Sequence, residues 1–219
     1  MKINRSLAAC LTIALLFISV DKSLSTTKGR NTAIKFVQEY PFRNIANSIG
    51  LVIPNEKNDE KKALKLYSSD GKIWKSVAFE GPLLKNMDLI FPFAKKEDYY
   101  LLSFDCLENK NGYYKVVVNE DTKKVKYIKT DDNAFAYVSW QSYILKMFAV
   151  GFQPTNNPLK LKPSSDSNTI KYNKDEIYMP VKFQNDWLEV KWGDEKKWNY
   201  GWVQWKKGNL LILELFPIN

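Results

Sequence analysis

From Ala63 onward the chain reads as short apolar runs separated by polar clusters, and this alternation constrains its fold more than any other feature. "ALKLY", "IWKSVAF", "YYLLSFDCL", "GYYKVVV" and "KVKYIK" are rich in valine, isoleucine and aromatics, with "SSDG", "ENKNG" and "NEDTKK" among the intervening polar stretches. Runs of this length bounded by Ser, Asp, Asn and Gly predict strands and turns. The texture resumes after Pro158 with "LKL", "EIYMPVKF", "WLEVKW", "YGWVQW" and "LLILELF". In "WLEVKW", Leu188, Val190 and Trp192 fall on one face of a strand, and Trp187, Glu189 and Lys191 fall on the other. Val203 and Trp205 likewise share a face opposite Trp202 and Gln204. Trp192, Val203 and Trp205 are therefore expected in the core.

Between the two β stretches the period changes. Ser139 is placed to cap a helix whose apolar face carries Trp140, Tyr143, Ile144, Met147 and Phe148, with Gly151 and Pro154 ending it. Nearer the N-terminus, "NTAIKFVQEY" reads as a short helix stopped before Pro41, because proline disfavours helix in the preceding residue. "PNEKNDEKK" is a charged connector, and the "SSD" triplets at 68–70 and 164–166 read as turns.

The first residues fit a secretory leader: Lys2 and Arg5, an apolar run from Leu7 to Val20, then small residues at Ser23 and Ser25. That run is shorter than the roughly 20 residues a membrane-spanning helix needs. Cys10 opens the run rather than following it, which argues against lipidation. Export to the periplasm or the extracellular side is expected, with cleavage after Ser25 and no membrane span thereafter. The remaining chain then keeps one cysteine, Cys106, so no internal disulfide can form and stability must come from the core. Within "SFDCLE", Cys106 reads as a buried small hydrophobe.

The sequence holds no histidine and carries a formal charge of +9. The absence removes imidazole-based acid–base and nucleophilic catalysis and histidine zinc sites. Adjacent Asp194 and Glu195 on a turn lack the separation and burial of a glycosidase pair. Phosphate-binding glycine loops and cysteine–acid metal clusters are missing. A non-catalytic protein without metal or cofactor is expected. Its scattered lysines suit anionic cell-surface polymers or solubility better than nucleic acid, which favours a continuous basic stripe.

Two segment pairs echo each other in order: "ALKLYSSDGKI" with "PLKLKPSSDSNTI", and "NGYYKVVV" with "NDWLEVKW". "KYIKTDDN" then stands where "GWVQWKKGN" stands. This order suggests an internal duplication of a five-strand unit of roughly 60–75 residues. The expected organisation is a leader at 1–25, an N-terminal extension at 26–62, a first β unit at 63–135, a linking helix and loop at 136–155, and a second β unit at 156–219.

The second unit resembles the bacterial SH3-like domains. The residues that carry the likeness are Asp186-Trp187-Leu188-Glu189-Val190 followed by Gly201-Trp202-Val203, with "LLILEL" closing the sheet, over about 156–217. The first unit matches more loosely: Tyr113-Tyr114-Lys115-Val116 is present, but Lys126-Tyr127-Ile128 replaces the Gly-Trp pair. The charged hairpin "GDEKKWNY" also departs from the pattern. The resemblance implies a mainly β protein of two small SH3-like antiparallel barrels joined by a short α-helix. It further implies a binding module that takes extended chains such as cell-wall peptides or glycans, peptidoglycan among them, in an aromatic groove.

Five of the seven tryptophans lie between 187 and 205. Trp187 and Trp202 on the outer face are the candidate ligand platform, with Lys191 and Lys206 as their cationic partners. Trp198 and Tyr200 on the hairpin extend it. Burial of both platform indoles against the helix or the first unit is the alternative. In that case the aromatic faces scaffold a protein partner, such as an envelope protein, and bind no ligand.

Overall fold

The computed structural model describes residues 43–55, 63–80, 83–97 and 101–217. The leader and the helix expected at 31–40 lie outside the described residues, as does most of the charged connector. The architecture is mainly β. In the first half, the main sheet is built from β2 (Gly50–Pro54), β3 (Leu64–Tyr67), β4 (Ile73–Glu80), β5 (Leu83–Lys85), β7 (Leu101–Lys110), β8 (Tyr113–Asn119), β9 (Lys124–Lys129) and β10 (Phe135–Val138). A short β1 (Arg43–Asn44) precedes them, and β6 (Ala94–Lys96) pairs with the start of β7. The strand order is β10-β2-β7-β8-β9-β3-β4-β5, antiparallel throughout. The β7–β8 turn is Asn111-Gly112, both at positive φ (53° and 76°), the conformation that tight hairpins require. Register shifts at Cys106/Glu108, Val117/Asn119 and Leu66/Tyr67 curl the sheet, because a bulge bends its strand and adds twist.

The second half begins with α1 (Trp140–Leu145), followed by β11 (Ala149–Gly151), β12 (Met179–Gln184), β13 (Trp187–Asp194) and β14 (Lys197–Gln204). It ends with β15 (Lys206–Lys207), β16 (Leu210–Leu211) and β17 (Glu214–Phe216). β12, β13 and β14 form a three-stranded antiparallel meander. Ser139 caps α1 by accepting a hydrogen bond from the Ser142 N–H at 3.1 Å. The helix stops well before Gly151, since Ala149–Gly151 pairs instead with β17. A helix this short is weakly held by its own hydrogen bonds, so sheet pairing claims the next backbone groups.

Two segments that echo each other in sequence adopt different conformations. Residues 64–67 form a strand paired with β4, whereas 158–170 form an irregular strap held by isolated bridges of Lys160 to Trp202 and Thr169. Strand β2, from the expected extension, and β10 both belong to the large sheet.

β2 also divides the interior. Its alternation turns Val52 into the curled sheet, against Leu64, Leu66, Phe104, Cys106, Val116 and Ile128. Leu51 and Ile53 turn the opposite way, toward Trp140, Ile144, Leu188, Val190, Trp192 and Trp205. Two hydrophobic cores therefore share one strand as their wall.

Arg43 fastens the two halves together. β1 pairs with β16 in the C-terminal half, while the Arg43 side chain reaches into the large sheet. Its Nη2 donates to Asp105 Oδ2 at 2.7 Å and to both Glu120 oxygens at 2.9 and 3.0 Å, and its guanidinium lies 4.7 Å from the centre of the Phe93 ring. Burial works against the charge, but the bonds and charges of Glu120 and Asp105 outweigh it and raise the Arg43 pKa. Asp105 is also bonded by the Ser48 hydroxyl, which accepts from Trp140 Nε1 at 2.8 Å. The network thus runs from β1 through β7 to α1.

Removing one partner of a buried ion pair leaves an uncompensated charge and costs about 3–5 kcal/mol. Arg43→Ala should lose about that much stability in urea titrations. Adding Asp105→Asn and Glu120→Gln should restore part of it, because the stranded carboxylates are then neutral.

Cys106 is fully buried, and burial, reinforced by the Asp105 charge, pushes its thiol up to about 12 despite a bond to the Glu108 carbonyl. Burial raises the Tyr143 hydroxyl in the same direction. Both groups are held neutral by the fold, so their contribution is complete below the unfolded thiol value of about 8.5. It is lost as pH climbs toward 12, where the unfolded chain has released protons that the native state retains. Stability should therefore fall across that alkaline window, and Cys106→Ala should flatten the decline in pH-dependent denaturant melts.

Candidate functional site

The register of β13 against β14 assembles the aromatic residues into one surface. Trp187 faces Gln204, Glu189 faces Trp202, Lys191 faces Tyr200 and Gly193 faces Trp198. Directly opposed residues share a face, so Trp187, Lys191, Trp198, Tyr200 and Trp202 lie on the same side of the meander. Lys182 of β12, opposite Glu189, joins them. The other side carries Leu188, Val190, Trp192 and Val203 into the core. Gly193 sits at φ 115°, and a Cβ there would collide with the Lys197 carbonyl, so the hairpin requires glycine at this point.

The indoles separate as alternation implies, with one exception. Trp192 and Trp205 are buried, Trp187 and Trp198 are half-buried, and Tyr200 is 50% exposed. Trp202 is only 7% exposed, which corrects its expected place as an open platform. It lies between β13 and the strap, where its N–H and carbonyl bond with Lys160, and the Lys182 ammonium stands 5.7 Å from its ring centre. Strand alternation reveals the side on which a residue lies, but not whether a segment distant in sequence packs alongside it.

The lysines are distributed differently from expectation. Lys191 sits over Trp198, 4.5 Å from the ring centre, rather than over Trp187 or Trp202. Lys206 is 5.1 Å from the buried Trp205 ring and pairs with Asp186 at 3.3 Å, apart from the aromatic row. Lys182 pairs with Glu189 at 3.3 Å. Neither Lys182 nor Glu189 stands out in the sequence as a site residue. A register shift between Pro180 and Lys182 breaks the alternation that would have pointed to Lys182.

Behind this face the packing is aromatic and rigid. Tyr172 stacks on Tyr178 at 5.4 Å, Tyr178 meets Trp192 at 5.3 Å, and Phe183 meets Trp205 edge-on at 5.7 Å. The Trp205 Nε1–H donates to the Asn185 carbonyl at 3.2 Å, and burial raises the Tyr178 hydroxyl pKa. Asp194 accepts from the Lys196 and Lys197 N–H groups at 2.9 and 3.1 Å, acting as a turn former. Glu195 is exposed.

A hollow of about 480 Å³ lies on other elements, lined by residues including Lys65, Tyr67, Lys129, Asp131 and Asp132. Among the described residues, no group of three or more Cys, Asp and Glu side chains converges to hold a metal ion. No described helix is long and apolar enough to cross a membrane. Compared with protein-family models, with curated proteins and with solved structures, the chain matches none.

The two classes of indole should respond differently to truncation. Trp205→Ala should cost about 3–5 kcal/mol, as buried aromatic truncations do. Trp198→Ala, on the accessible side, should cost about 1 kcal/mol or less. Thermal melts of the two variants test the assignment directly.

Proposed function

We propose that this is an exported, non-catalytic binding protein whose residues 156–219 act as an SH3-like module for an extended cell-envelope peptide or glycan, peptidoglycan-related in character. In this reading the looser unit at 63–135 is its divergent counterpart. The observation that carries the proposal is the surface formed by Trp187, Trp198, Tyr200 and Lys191, in which one strand offers two accessible rings and its neighbour a third. Aromatic rings supply large contact area with few rotatable bonds, which suits an extended chain laid across a sheet. Lys191 and the Lys182–Glu189 pair supply charges that orient the chain. Trp202 serves as a support beneath this surface, in keeping with its burial.

That burial also favours a second reading, in which the face docks a folded envelope protein. The two readings differ in what they bind. Titration with soluble murein fragments should change the tryptophan fluorescence of the native chain, and Trp198→Ala combined with Tyr200→Ala should abolish the response. A native chain that stays silent toward peptides, glycans and whole sacculi sinks the ligand-binding reading and leaves the scaffold.

A further inference from the structure

The curled sheet has a weak seam, and chemistry-bearing side chains gather there. β8 and β9 are paired along nearly their whole length, whereas β3 meets β9 at one residue pair, Tyr67 with Tyr127. Beside this seam the β3–β4 register shifts between Leu66 and Tyr67, and the extra residue on β4 is Trp74. Its half-buried indole packs on the core of the curled sheet. Three ammonium groups surround that one ring: Lys124 Nζ at 4.6 Å from its centre, Lys126 at 5.0 Å and Lys75 at 5.6 Å.

The charges around this ring are poorly balanced. Lys75 donates to the Asp88 carbonyl at 2.6 Å and lies 3.4 Å from its carboxylate, which is 90% exposed. Lys126 donates to the Ser68 hydroxyl at 3.1 Å. Lys124 has no ion-pair partner among the described residues. Three like charges gathered on one ring repel one another and favour a counter-anion. Each cation–π contact is worth only about 0.5–1 kcal/mol at an exposed site, too little to explain three on one ring by stability.

We propose that Trp74, Lys75, Lys124 and Lys126 form a second binding site, for an anionic sugar unit of a glycan. The ammonium groups meet its carboxylate, sulfate or phosphate, and the accessible part of the indole packs on the sugar ring. Lysines act as point charges and suit an anion of no fixed orientation, where bidentate recognition favours arginine. Single-stranded nucleic acid stacks successive bases on a row of rings. Here the indole is single, and the neighbouring tyrosines Tyr67, Tyr113 and Tyr127 contact one another edge-on.

The test is an NMR titration of the native chain, following the Trp74 indole N–H resonance, assigned by its loss in Trp74→Phe. Heparin and polygalacturonate should shift it, neutral dextran should not, and added salt should weaken the effect. A shift with one anionic glycan alone identifies the preferred anion and supports the site. The triple variant Lys75→Gln, Lys124→Gln, Lys126→Gln alters half-buried side chains and should bind roughly tenfold more weakly or worse. Trp198→Ala should leave the Trp74 shift unchanged, which separates this site from the aromatic face of the meander. The proposal falls if neither anionic glycan shifts the resonance, if dextran matches them, or if the triple variant binds as well as the native chain. It also falls if an oligothymidylate binds as tightly as the glycans, since the site is then one for nucleic acid.

Discussion

Arg43 occupies the one position from which a two-residue strand can hold two bodies of structure together. Its backbone belongs to the C-terminal half through β16, and its guanidinium to the large sheet through Asp105 and Glu120. All three side chains are largely buried, at 12%, 8% and 14% exposure. A buried pair offers little net stability over a well-packed apolar alternative. Its consequence here is specificity of docking. Phe93 meets Arg43, Trp140 and Tyr143, so the same clamp packs directly against α1. Lys123 adds a bond to Glu120, but its 67% exposure leaves that pair worth little.

From this fixed junction the shared wall at β2 carries order outward. Leu51 belongs to the second core and Val52 to the first, so any slip of β2 by one residue exchanges the contents of both. Such a slip disturbs two buried faces instead of one, which pins the register of β10, β2 and β7 together. The meander inherits that rigidity through Leu188, Val190 and Trp192. Its accessible aromatic side is backed by a packed aromatic layer, so the rings can be presented without a loop to hold them.

The legible part of this fold is the part governed by local period. The strands at 64–67, 73–80, 101–110, 113–119 and 124–129 follow from run composition and turn chemistry, and so does the hairpin at Asn111-Gly112. Alternation puts Trp192 and Trp205 inside and Trp187, Lys191 and Trp202 on outer faces, and the observed register of β13 against β14 adds Trp198 and Tyr200 to the same side. What escapes it depends on partners distant in sequence. Arg43 meets Asp105 and Glu120 at separations of 62 and 77 residues, and no local pattern marks that meeting. Trp202 is buried by a strap whose sequence resembles a strand but whose backbone bonds are isolated. Lys182 is hidden by a register shift, and residues 149–151 leave the helical pattern because β17 offers pairing.

The lysines complete the account of a chain with a formal charge of +9. In both halves they settle on indoles: Lys191 on Trp198, Lys182 on Trp202, Lys206 on Trp205, and three lysines on Trp74. An ammonium over a ring leaves its remaining donors to water or to a ligand, so the pairing keeps charge at the surface while its stem covers apolar area. The two regions differ in what stands beside the cations. On the meander, Glu189 pairs with Lys182, so that ammonium stands beside a counter-charge, while Lys206 pairs with Asp186 away from the aromatic row. Around Trp74 the exposed Asp88 pairs with Lys75, whereas Lys124 and Lys126 have no carboxylate partner among the described residues. An anion held there would balance charge that the described residues leave unpaired, as the proposed glycan site requires.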